Sequence, residues 1–253
     1  MNRLATALSI VYLLWCIFSI LRVNLSYTLT YIMAIPRTLM QGTYLKALRN
    51  TIKPIIVATG PAGTGKTLLA CQVAAERLHS NQIDRVLITR PTVTVDEDLG
   101  YLPGGLEEKM NPYMRPIMDI MGDYFTRTRI QQMMKAGVLE IAPLAYMRGR
   151  TFDKAFIIGD EMQNTTVSQM KMILTRLGED SKMAITGDMR QTDLPSGTPS
   201  GLLDLVTSMN SVQDLKYIDH IVLGDEDIQR HDAVREVLGL YDKDDLDLYK
   251  EMM

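Results

Sequence analysis

Residues Gly60 to Thr67 read GPAGTGKT, a full match to the pattern G-x-x-x-x-G-K-[ST]. Apolar PIIVAT leads into it, and LLACQVAAERL, with the period of a helix, leads out. Strand, glycine-rich turn and helix in that order turn a pattern match into a mechanism. The glycines let successive backbone N–H groups converge, and the following helix points its partly positive N-terminus at the same place. Gly60, Pro61, Ala62, Gly63, Thr64 and Gly65 would then cradle phosphates. Lys66 would reach the β and γ phosphates, and Thr67 would offer its hydroxyl to Mg2+. The expected ligand is a nucleoside triphosphate. A tight turn followed by a surface lysine is the competing reading, and it leaves the flanking strand and helix unexplained.

The rest of the chain follows the rhythm set by this motif. From Gln41 onward, short β-branched runs alternate with helical patterns, which predicts an α/β fold with a mostly parallel sheet covered by helices. Strands are expected at 54–59, 85–89, 154–159, 182–186 and 216–223, with helices near 66–79, 166–177, 200–210 and 226–240. The interval from Pro91 to Arg150 is too long for a loop and rich in Pro, Gly, Tyr, Met and Arg. It is expected to be an inserted helical lobe, about 92–150, that ends in a short strand at 138–143.

Composition narrows the partners. The formal net charge is −3, so no global basic field advertises nucleic acid, and any such contact must be a local patch. Cys16 and Cys71 are the only cysteines, and three histidines stand at 79, 220 and 231, which excludes a disulfide framework or a structural zinc cluster. A reducing, cytoplasmic location fits. Residues 1–39 stand apart from the domain expected over 40–253. Leu4 to Leu21 carries no charge and lies between Arg3 and Arg22. A spanning helix needs roughly 20 apolar residues, with a lower limit near 17. Three readings stay open: a membrane helix, a helix packed on the domain, or an extension absent from a working protein that starts at Met33 or Met40. No A-x-A cleavage site follows, which argues against a signal peptide.

A second element completes the phosphate site. In AFIIGDEMQNTT, residues 155–166, an apolar strand ends in a carboxylate, which places Asp160 where open α/β sheets bind ligands. Asp160 would hold Mg2+ through its water shell, and Glu161 beside it would act as general base on an attacking water. Helix capping explains either acid alone but not the pair after a buried strand. AITGDMRQTDLP, residues 184–195, repeats the pattern. If its strand neighbours the other two, Asp188 and Gln191 lie beside the phosphates, and Gln191 suits sensing a γ-phosphate or positioning a water. An Asp-containing turn closed by Pro195 is the alternative.

Together with LITRP, LGYLPG, KMNPYMRP, IAPLAYMRGRTF, QMKMILTRLG, SGL and QRHDAVREVL, these stretches resemble the PhoH family, phosphate-starvation-inducible ATPases related to superfamily 1 helicases. The likeness runs from about Gln41 to the end of the last expected helix. It implies ATP binding and hydrolysis on a RecA-like core, with a role in RNA metabolism. Gln41 is similar to the adenine-reading glutamine of helicase-like ATPases, whose amide matches the N6 and N7 edge. The family places the Arg230–His231 pair near the nucleotide, where Arg230 could stabilise the transition state within its own chain or from a neighbour in a ring-like homo-oligomer. Gly159 and Met162 depart from the family pattern, which more often has a larger aliphatic residue and alanine there.

Arg90, Tyr101, Tyr113, Arg115, Tyr146, Arg148 and Arg150 gather in and around the expected insertion. Arginine interleaved with tyrosine suits a single-strand groove, and Arg148 and Arg150 are the candidates for RNA or single-stranded DNA. Glu97, Glu107 and Glu108 in the same region support a solvated mixed-charge surface instead. The leading function is therefore an ATPase acting on RNA. A small-molecule kinase and a membrane-tethered, ATP-regulated binding module are the alternatives, and Glu161 with Gln191 favours hydrolysis over transfer.

Overall fold

Six strands form one sheet: β1 (Ile55–Thr59), β2 (Arg85–Arg90), β3 (Leu139–Pro143), β4 (Ala155–Gly159), β5 (Lys182–Gly187) and β6 (Ile218–Val222). In the computed structural model, which describes residues 33–91 and 115–236 apart from 232 and 235, their order is β3-β2-β4-β5-β1-β6 and every pairing is parallel. The central strands are near-continuous apolar runs because both of their faces are covered. Side chains alternate across the pleat. Ile56, Ile88, Phe156, Ile158 and Ala184 pack on one layer, and Val57, Leu87, Ile157, Met183 and Ile185 on the other.

The first layer is built by α1 (Leu39–Arg49), α2 (Lys66–His79), the helical residues 115–122 and α3 (Arg127–Lys135), through Tyr44, Leu48, Val73, Met121 and Ile130. Cys71 of α2 is a buried free thiol in this layer, and burial raises its pKa. The second layer is built by α4 (Val167–Leu174) and α5 (Gly201–Asn210), through Met170, Ile173, Leu202 and Val206. The α/β class and the five strands expected between 54 and 223, 138–143 aside, are found within two residues of their expected ends. The expected strand at 138–143 is β3, an edge of the sheet. From residue 115 onward the long crossover packs on the sheet through Ile117, Met121, Ile130 and Met133.

Two differences concern helices. α1 was not expected from the sequence; Thr38 caps it by accepting from Gln41 N–H at 3.2 Å, and Lys46 and Arg49 stand in its last turn, where a helix favours cations. The helix expected at 226–240 begins later. A short turn of 3-10 helix covers Asp225–Asp227, and Arg230 and His231 lie in non-helical backbone before helical residues at 233, 234 and 236. No helix among the described residues is long and apolar enough to cross a membrane, and residues 4–21 lie outside them, as do Tyr101, Tyr113, Glu97, Glu107 and Glu108.

Lys182, at the start of β5 and 1% exposed, fastens α1 to the sheet. Its ammonium donates to the carbonyls of Ala47 at 2.8 Å, Asn50 at 2.6 Å and Lys53 at 2.6 Å, and so satisfies the C-terminal end of α1. Burial pushes this lysine down to about 7, Arg77 adds to the push, and Asp219 opposes it. Lys182→Met is expected to lose about 1–3 kcal/mol by leaving carbonyls unpaired, read as a lower urea midpoint. Because the folded group binds fewer protons than the unfolded one, parent stability should rise relative to the variant as pH climbs from about 7 toward the ordinary lysine value. A variant as stable as the parent throughout would contradict this role.

Candidate nucleotide-binding site

Parallel pairing brings the carboxyl ends of the strands together: Thr59 lies level with Gly187 and Val222, and Thr89 with Gly159. The loop after β1 and the acids after β4 therefore emerge on one edge. β5 lies between β1 and β4, so its own terminal loop lies between them as well. That is the neighbourhood on which the expectation for Asp188 depended.

The two halves of the site touch. Thr67 Oγ1 donates to Asp160 Oδ1 at 2.5 Å, and Thr186 Oγ1 donates to the same oxygen at 2.8 Å. Asp160 N–H donates to Thr89 O at 2.8 Å, so the carboxylate is anchored from both neighbouring strands. Lys66 curls back on the loop, donating to Gly60 O at 2.6 Å and Pro61 O at 2.8 Å. Burial lowers its pKa, while Asp188, Glu161 and Asp160, in that order, draw it up. Three carboxylates thus share the field of one lysine. A cavity of about 940 Å³ opens here, lined among others by Gln41, Gly63, Lys66, Thr67, Glu161 and Arg230, with Met33, Ile35 and Leu68 on its apolar side.

Arg230 lies against the phosphate loop of its own chain. A Cβ added to Gly63 would come 2.7 Å from Arg230 Nε, so the arginine runs where a side chain would stand, and the φ of +87° is what demands glycine there. Gln229 N–H donates to Gly63 O at 3.0 Å, which holds the segment in place. Gln41 is 3% exposed and its amide is heavily used. It accepts from Arg37 N–H at 2.8 Å and donates to Thr64 O at 3.1 Å and Asp227 O at 3.4 Å. Asp227, 1% exposed, accepts from the Thr38 hydroxyl and, at 2.8 Å, from Gly224 N–H. Gln191 is exposed on the loop after β5, three residues beyond the buried Asp188, and its N–H donates to Asp188 O at 3.3 Å.

The arginines expected to contact nucleic acid divide. Arg150 is paired in parallel with Glu140 of β3, at 2.5 and 2.7 Å, and stacks 4.6 Å from the Phe152 ring, so it braces the sheet edge. Its hydrogen bond to Glu140 lowers that carboxyl and raises the guanidinium. Arg148 is exposed, close in sequence to Tyr146, which is 55% exposed. Sequence reasoning missed Thr186, Gln163, Asp227 and Thr38. Thr186 was legible as the last side chain of a buried strand before Gly187; the others act through contacts distant in the chain or through a neighbour two positions away.

Gly159 and Met162, the two positions expected to depart from the family pattern, lie against each other. A Cβ on Gly159 would stand 3.0 Å from Met162 Sδ and 3.1 Å from Ile185 Cδ1, so the methionine fills the space that a larger residue at 159 would take. Gly159→Val alone should cost about 1–3 kcal/mol by overpacking, and adding Met162→Ala should restore much of it. Additive losses in a double-mutant cycle by urea unfolding would contradict the pairing.

The family model described as "PhoH-like protein" matches residues 33–242. A PhoH-like protein of Mycobacterium bovis is 47% identical over 207 residues, covering 81% of this chain and 57% of that protein. One of Bacillus subtilis is 44% identical over 207 residues, covering 82% and 63%. The chain thus spans roughly three fifths of the length of these relatives. Among solved structures it is similar to the UvsW helicase from bacteriophage T4, with a TM-score of 0.45 and 14% identity over 74% of this chain and 60% of that one. Phosphate loop, acidic strand end and family match agree, and the chain belongs to the PhoH-like family.

Proposed function

We propose that this chain binds ATP with Mg2+ at the loop Gly60 to Thr67 and hydrolyses it, in the cytoplasm, in work on RNA or single-stranded DNA. The observation that carries the reading is the contact of Thr67 Oγ1 with Asp160 Oδ1 at 2.5 Å, beside Glu161 and Lys66. Hydroxyl and carboxylate oxygens are the donors Mg2+ takes, usually with few protein ligands and the rest from water and phosphate. Thr67 and Asp160 would hold the ion, which when bound neutralises charge on the β and γ phosphates.

Lys66 exchanges the Gly60 and Pro61 carbonyls for phosphate oxygens. Glu161 takes a proton from a water as that water's oxygen bonds to the γ phosphorus. The bond from that phosphorus to the bridging oxygen breaks, and ADP and inorganic phosphate leave. Arg230, already on Gly63 of the same chain, is placed to meet the charge of the transition state, which favours the in-chain arrangement over delivery from a neighbour. Gln191 positions the water or reads the γ-phosphate from the loop beyond Asp188.

The base is selected by what remains of Gln41. Both amide protons are taken by the Thr64 and Asp227 carbonyls, and one lone pair of Oε1 by Arg37 N–H. The remaining lone pair can only accept, so it matches the N6 amine of adenine and opposes the O6 of guanine. The expected two-sided reading of adenine narrows to one side. For nucleic acid, Tyr146 offers a ring for stacking and Arg148 a cation for phosphate, while Arg150 is committed to Glu140.

Phosphate release from MgATP by the full chain, with and without single-stranded RNA, tests the proposal. Turnover that RNA stimulates is expected, with the stimulation reduced in Arg148→Ala. Glu161→Gln should slow turnover by about 10²- to 10⁴-fold while a fluorescent ATP analogue still binds. Lys66→Ala should weaken binding itself. Parental turnover in Lys66→Ala would remove the assignment, and lost binding in Glu161→Gln would move Glu161 into the metal site.

A further inference from the structure

Gln163 stands between the acidic pair and the loop after β5, only 3% exposed. Its carboxamide has one possible orientation. Asp188 N–H donates to Oε1 at 3.1 Å, so the oxygen faces β5 and Nε2 is left to donate to Glu161 Oε2, at 2.6 Å. The backbone is fixed as well, since Ser200 Oγ donates to Gln163 O at 2.8 Å. The fold leaves room for this amide: a Cβ on Gly187 would lie 2.6 Å from Oε1. Glu161 itself has φ 52° and ψ 39°, a left-handed conformation uncommon for residues other than glycine. Its carboxylate is therefore held by two things, an unusual backbone and the Gln163 amide.

We propose that Gln163 is a positioning residue for hydrolysis, which sets the Glu161 carboxylate at the cavity and ties that setting to the loop carrying Gln191. The inference rests on the reading of Glu161 as the base. The tie is reinforced next door, where Asn164 Nδ2 donates to Asp193 Oδ2 at 2.8 Å and Asp193 N–H donates to Asn164 Oδ1 at 2.8 Å. The turn after β4 and the loop after β5 therefore form one hydrogen-bonded unit. A displacement of residues 188–193 is thus passed to the base, which gives the loop a hold on the rate through Glu161 beside the one through Gln191.

Two substitutions in the full chain separate positioning from mere support. Gln163→Glu keeps an oxygen for Asp188 N–H but sets a second carboxylate against Glu161; Gln163→Met keeps the bulk and removes both bonds. Both should lower kcat for ATP, per folded protein, on the order of 10- to 100-fold, the cost of a misplaced catalytic group, with affinity for a fluorescent ATP analogue close to the parent; the thermal midpoint should fall modestly in Gln163→Met, which leaves the Asp188 N–H unpaired. Parental kcat in Gln163→Glu would show that only the tether to Asp188 matters and would overturn the proposal. So would a kcat loss that merely tracks loss of folded protein in both variants. Glu161→Gln, assayed alongside, keeps the two claims apart. If it turns over like the parent, the base assignment fails; if it is inactive while Gln163→Glu is parental, the positioning role alone fails.

Discussion

One carboxylate oxygen, Asp160 Oδ1, joins the parts from which the site is made. It accepts from Thr67 of α2 at 2.5 Å and from Thr186 of β5 at 2.8 Å, while the backbone of Asp160 bonds to β2. Each hydrogen bond to a charged acceptor contributes about 1.5–3 kcal/mol, so this oxygen sets the distance between the phosphate loop and the acidic strand. The position depends on the sheet order. With β5 between β1 and β4, the loop helix and the carboxylate face each other across one strand, and Thr186 fills the interval.

A second clamp closes the site from the other side. The segment after β6 crosses the loop, with Gln229 bonded to Gly63 and Arg230 packed on it. Asp227 binds the Thr38 hydroxyl at the cap of α1, and its carbonyl accepts from Gln41, which also bonds to Thr64. The Gln41 amide, the phosphate loop and Arg230 are thus one connected structure in which a shift of any member is felt by the others. Lys182 holds the far end of α1 to β5, so the helix that presents Gln41 is fixed at both ends.

What was legible in the sequence was what repeats with a period or stands at a fixed spacing. Apolar runs marked the central strands because a parallel sheet buried on both faces confines polar side chains such as Lys182 and Thr186 to positions near the strand ends, where they find partners. The loop pattern singled out Lys66 and Thr67 and the strand end singled out Asp160 as candidates, and the sheet order brings the loop and the strand end together, with Thr67 bonded to Asp160. Gln163 was hidden because its partners are two positions away on one side and 25 away on the other. Asp227 was hidden for the same reason, 189 positions from Thr38. Arg150 misled because an arginine beside tyrosines looks alike whether it awaits a phosphate or already holds Glu140. The last helix was placed too early because the polar stretch from Asp225 to His231 carries helix-forming residues, yet only Asp225–Asp227 form a 3-10 turn, and beyond it the chain is non-helical, with Gln229 N–H bonded to Gly63 O.

The central claim is that this geometry is organised around the phosphates of a nucleotide. Equilibrium binding of ATP, ADP and AMP to the full chain in the presence of Mg2+ tests it most directly. If Lys66, Thr67, Asp160 and the loop amides supply the attraction, affinity should be high for ATP and ADP and fall steeply for AMP, which has only the α-phosphate. AMP bound as tightly as ATP would contradict it.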